Sequence, residues 1–89
     1  MNKQRRKELA RIINELEEVK STLETLKDDL ESVKDSESET MENMPENLQE
    51  SDRYYTMESN VDAMESAFDG LDNIVSEFDD VLSYLGDVE

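Results

Sequence analysis

The sequence predicts an all-α protein, an antiparallel, coiled-coil-like hairpin of two long helices that is expected to dimerise into a four-helix bundle. Three observations predict it. Apolar residues recur in unbroken steps of three and four along both halves of the chain; the single proline, Pro45, falls between the two runs; and folding back just beyond it matches equal spans of the two, 12–33 and 64–85. Eighty-nine residues, 35% hydrophobic and 38% charged, offer little material for a core. The pattern of the apolar residues, rather than their number, therefore has to specify the fold.

Helix 1 is expected over about residues 5–42. Its apolar positions are Leu9, Ile12, Leu16, Val19, Leu23, Leu26, Leu30 and Val33, a narrow seam made of one leucine row and one mostly β-branched row. Good helix formers lie between the rows. So do charge pairs such as Arg11 with Glu15 and Glu31 with Lys34, each worth ~0.2–0.5 kcal/mol. The seam weakens where Glu37 and Thr40 take its positions and returns at Met44, which leaves Asp35–Thr40 either as a frayed extension or as the start of the connector.

Pro45 stops the helix, because it has no N–H to donate and biases Met44 away from helical geometry. Residues 44–51 are read as the turn, with Asn47 and Glu50, or Ser51 and Asp52, as candidates to cap the second helix. Helix 2, about 52–86, carries Tyr54, Met57, Val61, Met64, Phe68, Leu71, Val75, Phe78, Leu82 and Leu85 at the same spacing. A second stripe of Ala67, Ile74, Val81 and Val88 widens its apolar face and is the expected dimer interface. Gly70 falls on the outer face, at a cost of ~1 kcal/mol relative to Ala, and marks a bend or a close approach. Folding back about residues 48–49 sets Ile12 by Leu85, Val19 by Phe78, Leu26 by Leu71 and Val33 by Met64. It also lays Lys3, Arg5, Arg6 and Lys7 beside Asp87 and Glu89. One continuous helix broken only at Pro45 is the structural rival.

Charge is as uneven as the apolar pattern is regular. Residues 1–34 hold eight bases and eight acids, whereas residues 35–89 hold Arg53 against seventeen acids, so the whole net charge of −16 lies in the second part. Such a surface repels phosphate backbones and anionic lipid and favours a basic protein partner. No apolar run is long enough to span a bilayer or to serve as a signal peptide, and a soluble intracellular protein is the expectation. Neither Cys nor His occurs, which removes disulfides, thiol chemistry and the usual zinc ligands.

Along helix 2 winds an acidic row of Glu58, Asp62, Glu65, Asp69, Asp72 and Asp79, whose carboxylates stand ~5–6 Å apart at helical spacing, close to the separation of neighbouring phosphates on one strand. Four of the six are Asp, a poorer helix former than Glu, so helix propensity does not account for the choice. The row reads as a phosphate-like surface for a basic groove, or more plainly as a solvated face that keeps an apolar bundle soluble. Arg53 and Tyr55 beside the turn are residue types enriched at binding hot spots, and they are candidate partner contacts beside a packing and capping role. Catalysis would need a cleft to perturb paired carboxylates, and two helices offer none, so no enzyme, cofactor or metal is expected. Asp69-Gly-Leu-Asp72 and Asp35-Ser-Glu37-Ser-Glu39 contain fragments of a calcium loop without its full register of ligands.

The stretch Met44-Pro-Glu-Asn-Leu-Gln-Glu-Ser-Asp-Arg-Tyr, between charged leucine heptads and Met57-Glu58, resembles small helical proteins encoded by phages and mobile elements of Gram-positive bacteria. That resemblance implies residence in the host cytoplasm and a place among small acidic proteins that block host nucleases or other defence enzymes by imitating nucleic acid. The expected function is accordingly a non-enzymatic inhibitor or regulator seated in a basic nucleic-acid-binding groove. The alternative is a self-assembling coiled-coil structural or adaptor protein. A third reading has a transcription factor helix laid in the groove of the hairpin.

Overall fold

A computed structural model describes residues 1–89, and it is all-helical, with α1 at Lys3–Glu42, a single 3-10 turn at Glu46–Leu48 and α2 at Asp52–Gly86. The two long helices fold back on each other as an antiparallel hairpin, a rod of 70 × 15 × 13 Å. No residue has a positive φ and no peptide bond is cis, so the reversal is made without backbone strain.

Each helix begins where the sequence supplies an acceptor for its orphan amides. Asn2 Oδ1 accepts from the Arg5 amide at 2.8 Å, and Ser51 Oγ accepts from the Tyr54 amide at 3.3 Å. Of the two capping schemes open at the turn, Ser51 is the one adopted. Its hydroxyl also donates to the Leu48 carbonyl at 2.6 Å, which ties the 3-10 turn to the start of α2. Pro45 sits in extended geometry before that turn, and α1 has already ended at Glu42. Residues Asp35–Thr40 remain helical despite their polarity. Thr40 Oγ1 donates to the Ser36 carbonyl at 3.0 Å, while Glu37 and Ser38 lie half-buried.

Register follows from the interhelical ion pairs. Lys20 pairs with Asp79 and Lys27 with Asp72, so the chain reverses midway between residues 49 and 50. At the open end Arg6 Nη2 donates to the Glu89 carbonyl at 3.1 Å. Packing corrects the expected seam on α1. The residues turned toward α2 are the leucine row, Leu9, Leu16, Leu23 and Leu30, together with Ile13, Lys20, Lys27 and Lys34 on the other side of it. Ile12, Val19, Leu26 and Val33, which the spacing pairs with Leu85, Phe78, Leu71 and Met64, are instead 40–57% exposed. On α2 the expected row from Tyr54 to Leu85 does face α1, half-buried throughout except at Met57, the one buried residue in the chain.

Lysine takes the place of an apolar residue because its four-carbon stem lies along apolar surface while the ammonium reaches out of the groove. Lys27 Nζ lies 5.4 Å and Lys34 Nζ 5.8 Å from the centre of the Phe68 ring, within cation–π range. Choosing the lysine row satisfies two aspartates of α2. It leaves the β-branched row of α1 uncovered.

Candidate functional site

Around the rod, the two helices sort their side chains into two unlike flanks. On a heptad wheel Lys20, Lys27 and Lys34 stand on one side of the leucine row, and Ile12, Val19, Leu26 and Val33 stand on the other. Antiparallel pairing brings like sides of the two helices together. The first flank of α1 therefore meets Asp72 and Asp79 of α2, and the second meets Ala67, Ile74, Val81 and Val88.

The charged flank is a ladder. Lys27 Nζ lies 2.9 Å from Asp72 Oδ1, the Lys20 ammonium contacts Asp79 and lies 3.7 Å from Glu24, and Lys34 lies 3.7 Å from Asp35. The hydrogen bond it donates to Asp79 holds the Lys20 ammonium above its ordinary pKa, and the hydrogen bond donated to Asp72 does the same for Lys27; the neighbouring acids add to both, against partial desolvation. Of the six-residue acidic row, Asp72 and Asp79 are thus engaged inside the hairpin. Glu58, Asp62, Glu65 and Asp69 are exposed and make no ion pair, and they run along the outside of α2 toward the turn.

The apolar flank is open. Ile74, Val81 and Val88 are 42–45% exposed and Ala67 is exposed as well. Ile12 and Val88 line one shallow depression at the open end with Met1 and Leu9, so the two stripes are neighbours across the groove. A second depression, lined by Leu16, Ile74, Phe78 and Val81, continues the same face toward the middle of the rod. The contribution of α1 to this face is hidden in the apolar spacing, which assigns its residues to the hairpin seam. The signal for it is the seven-residue period of Lys20, Lys27 and Lys34, matched by the seven residues between Asp72 and Asp79.

Arg53 and Tyr55 lie exposed on the first turn of α2. Tyr55 meets Tyr54 edge to face, with ring centroids 6.0 Å apart and planes at 79°, and Tyr54 is the half-buried member of the pair. No three acidic side chains converge as a metal site would require, and the depressions along the rod are open dents rather than clefts. No helix is long and apolar enough to cross a membrane. No family model matches the chain, nor does any curated protein or solved structure.

Proposed function

We propose that this chain is a non-enzymatic acidic binding module that pairs with a second copy of itself as a four-helix bundle and offers the carboxylates of α2 to the basic groove of a nucleic-acid-handling protein, acting as a small inhibitor or regulator. The observation that carries this reading is the segregation of the two flanks. Apolar surface left open by both helices lies on one side, and the unpaired Glu58, Asp62, Glu65 and Asp69 stand away from it, where a covering copy would leave them outermost. Their helical spacing of ~5–6 Å approximates a row of phosphates, and a charge of −16 on each chain steers the module toward basic surfaces.

The test is retention of proteins from the native host on the immobilised module at low salt, followed by elution with duplex DNA. A nucleic-acid-handling protein should be retained, DNA should displace it, and the E58Q/D62N/E65Q/D69N variant should retain at least tenfold less. Retention that survives the four substitutions, or a partner that ignores DNA, ends the phosphate-imitation reading.

A second reading, a self-assembling coiled-coil structural or adaptor protein, draws on the same open flank, since an apolar stripe contributed by both helices favours assembly for its own sake. On that reading the four acidic substitutions change nothing, and polar substitutions at Ile74, Val81 and Val88 abolish function.

A further inference from the structure

Two ways of stacking one open flank on another bury the same apolar side chains, and the charge along the rod separates them. In the first, the twofold axis runs along the rod, both turns lie at the same end, and α1 covers the α2 of the second copy. In the second, the axis crosses the rod, the turns lie at opposite ends, and each helix covers its own counterpart antiparallel. We infer that the hairpin binds a second copy in the opposite-end arrangement, a proposal that rests on the dimer proposed above and specifies its geometry.

Area favours a second copy as the occupant. A broad face of a 70 × 15 × 13 Å rod offers about 1,000 Å², against the ~800 Å² per partner of a standard interface. The need is plain in a hairpin that buries a single residue of its own. The face is also self-complementary when reversed. Aligned about its middle, Ile12 stacks on the partner's Val33, Val19 on the partner's Leu26 and Ile74 on the partner's Val81, while small Ala67 receives the partner's Val88. These pairings bring apolar residues together at every heptad, as the same-end stacking also does.

Charge is not symmetric along the rod. The turn end, residues 35–63, holds nine acids and Arg53, a net of −8, whereas the open end, residues 1–13 with 85–89, holds five bases and three acids, a net of +2. Same-end stacking sets −8 against −8. Opposite-end stacking sets −8 against +2 at both ends of the bundle.

The gradient also runs against the helix that carries it. α1 has Lys3, Arg5 and Arg6 and no acid in its first turn, and Glu39 and Glu42 and no base in its last, the reverse of what its macrodipole favours. Helix stability therefore does not explain this placement. Of the open-end bases, Arg11 pairs with Glu15 one turn on along its own helix and Arg6 donates to the Glu89 carbonyl, while Lys3, Arg5 and Lys7 make no ion pair. A reversed copy lays its acidic turn beside these free cations.

The chain has no cysteine, so a single Ser36→Cys carries a nitroxide at an exposed site near the turn, and the label-to-label distance is read by pulsed electron resonance alongside the mass from sedimentation equilibrium. The opposite-end dimer predicts a dimer mass and a distance of about 40 Å, at 1.5 Å per residue of helix. A dimer mass with a distance near or below ~20 Å overturns the orientation and leaves the dimer standing. A monomer mass at concentrations where the chain is helical overturns both. A second variant, Thr22→Cys near the middle of α1, gives an independent reading, because it should cross-link to itself under mild oxidation only when α1 lies on α1. Failure to cross-link in a dimer likewise overturns the orientation.

Discussion

One flank of the hairpin closes within the chain and the other does not. On the closed flank, the ammonium groups of Lys27 and Lys34 stand over the aromatic ring of Phe68, and those of Lys27 and Lys20 meet Asp72 and Asp79. On the open flank, Ile12, Val19, Leu26 and Val33 of α1 and Ile74, Val81 and Val88 of α2 all keep at least 40% of their surface exposed. Both flanks are built from heptad repeats on the same two helices, so local propensity does not distinguish them. The difference lies in how each chemistry tolerates solvent. An amphipathic lysine is satisfied half in and half out of water, whereas a β-branched aliphatic side chain is satisfied only when covered. The closed flank thus fixes register, and the open flank leaves apolar surface in solvent.

The largest expected effect comes from spoiling the open flank. Ile74→Glu combined with Val81→Glu removes two apolar side chains, each worth ~1.5–3 kcal/mol when buried, and places like charges across any interface. Thermal unfolding followed by circular dichroism should depend on concentration in the natural chain and lose that dependence in the variant, with the midpoint falling by roughly 10 °C or more, as ΔΔG over unfolding entropy dictates for a domain of this size. An unchanged midpoint would mean that the open flank stays wet.

A smaller effect is expected on the closed flank. Asp72→Asn with Asp79→Asn should lower the denaturant midpoint only slightly at neutral pH, because these ion pairs are solvent-accessible and because removing two acids also relieves self-repulsion in a chain of charge −16. Its signature is in pH. Lys20 and Lys27 have folded-state pKa values raised above the ordinary 10.5, so the ladder contributes fully below 10.5 and its contribution fades as pH climbs through the raised values. Denaturant midpoints of the natural chain should drop more steeply above about pH 10.5 than those of the double variant. Parallel curves would show that the ladder has no energetic weight.

Smallest is the effect of Gly70. A Cβ there meets nothing within 4 Å, and its φ is not positive, so the hairpin has no use for a glycine in mid-helix. Gly70→Ala should stabilise by up to ~1 kcal/mol in denaturant unfolding. A loss instead would sharpen the comparison, since it would place a partner close against this edge of α2.

Much of the hairpin is legible in one dimension. Pro45, the matching apolar runs on either side of it and the unbroken row from Tyr54 to Leu85 predict two helices and a reversal, and the fold contains both. The acidic row is legible as a row but not as two populations. That Asp72 and Asp79 are spent on Lys27 and Lys20, while Glu58, Asp62, Glu65 and Asp69 stand free, depends on which side of the leucine row faces α2. Apolar letters alone select the wrong neighbouring row of α1, because a lysine counts as polar in a pattern and as largely apolar in a groove.

The sequence by itself determined the two helices, the reversal between them and the imbalance of charge, since each is written in the local order of residues; it left open where α1 ends and which residues cap the helices, Asn2 and Ser51 in the fold. Only the tertiary structure decided how α1 is rotated about its own axis. That rotation is a contest between two stripes of similar width, settled by long-range partners on α2. Its outcome divides the molecule into a flank that is complete and a flank that is not.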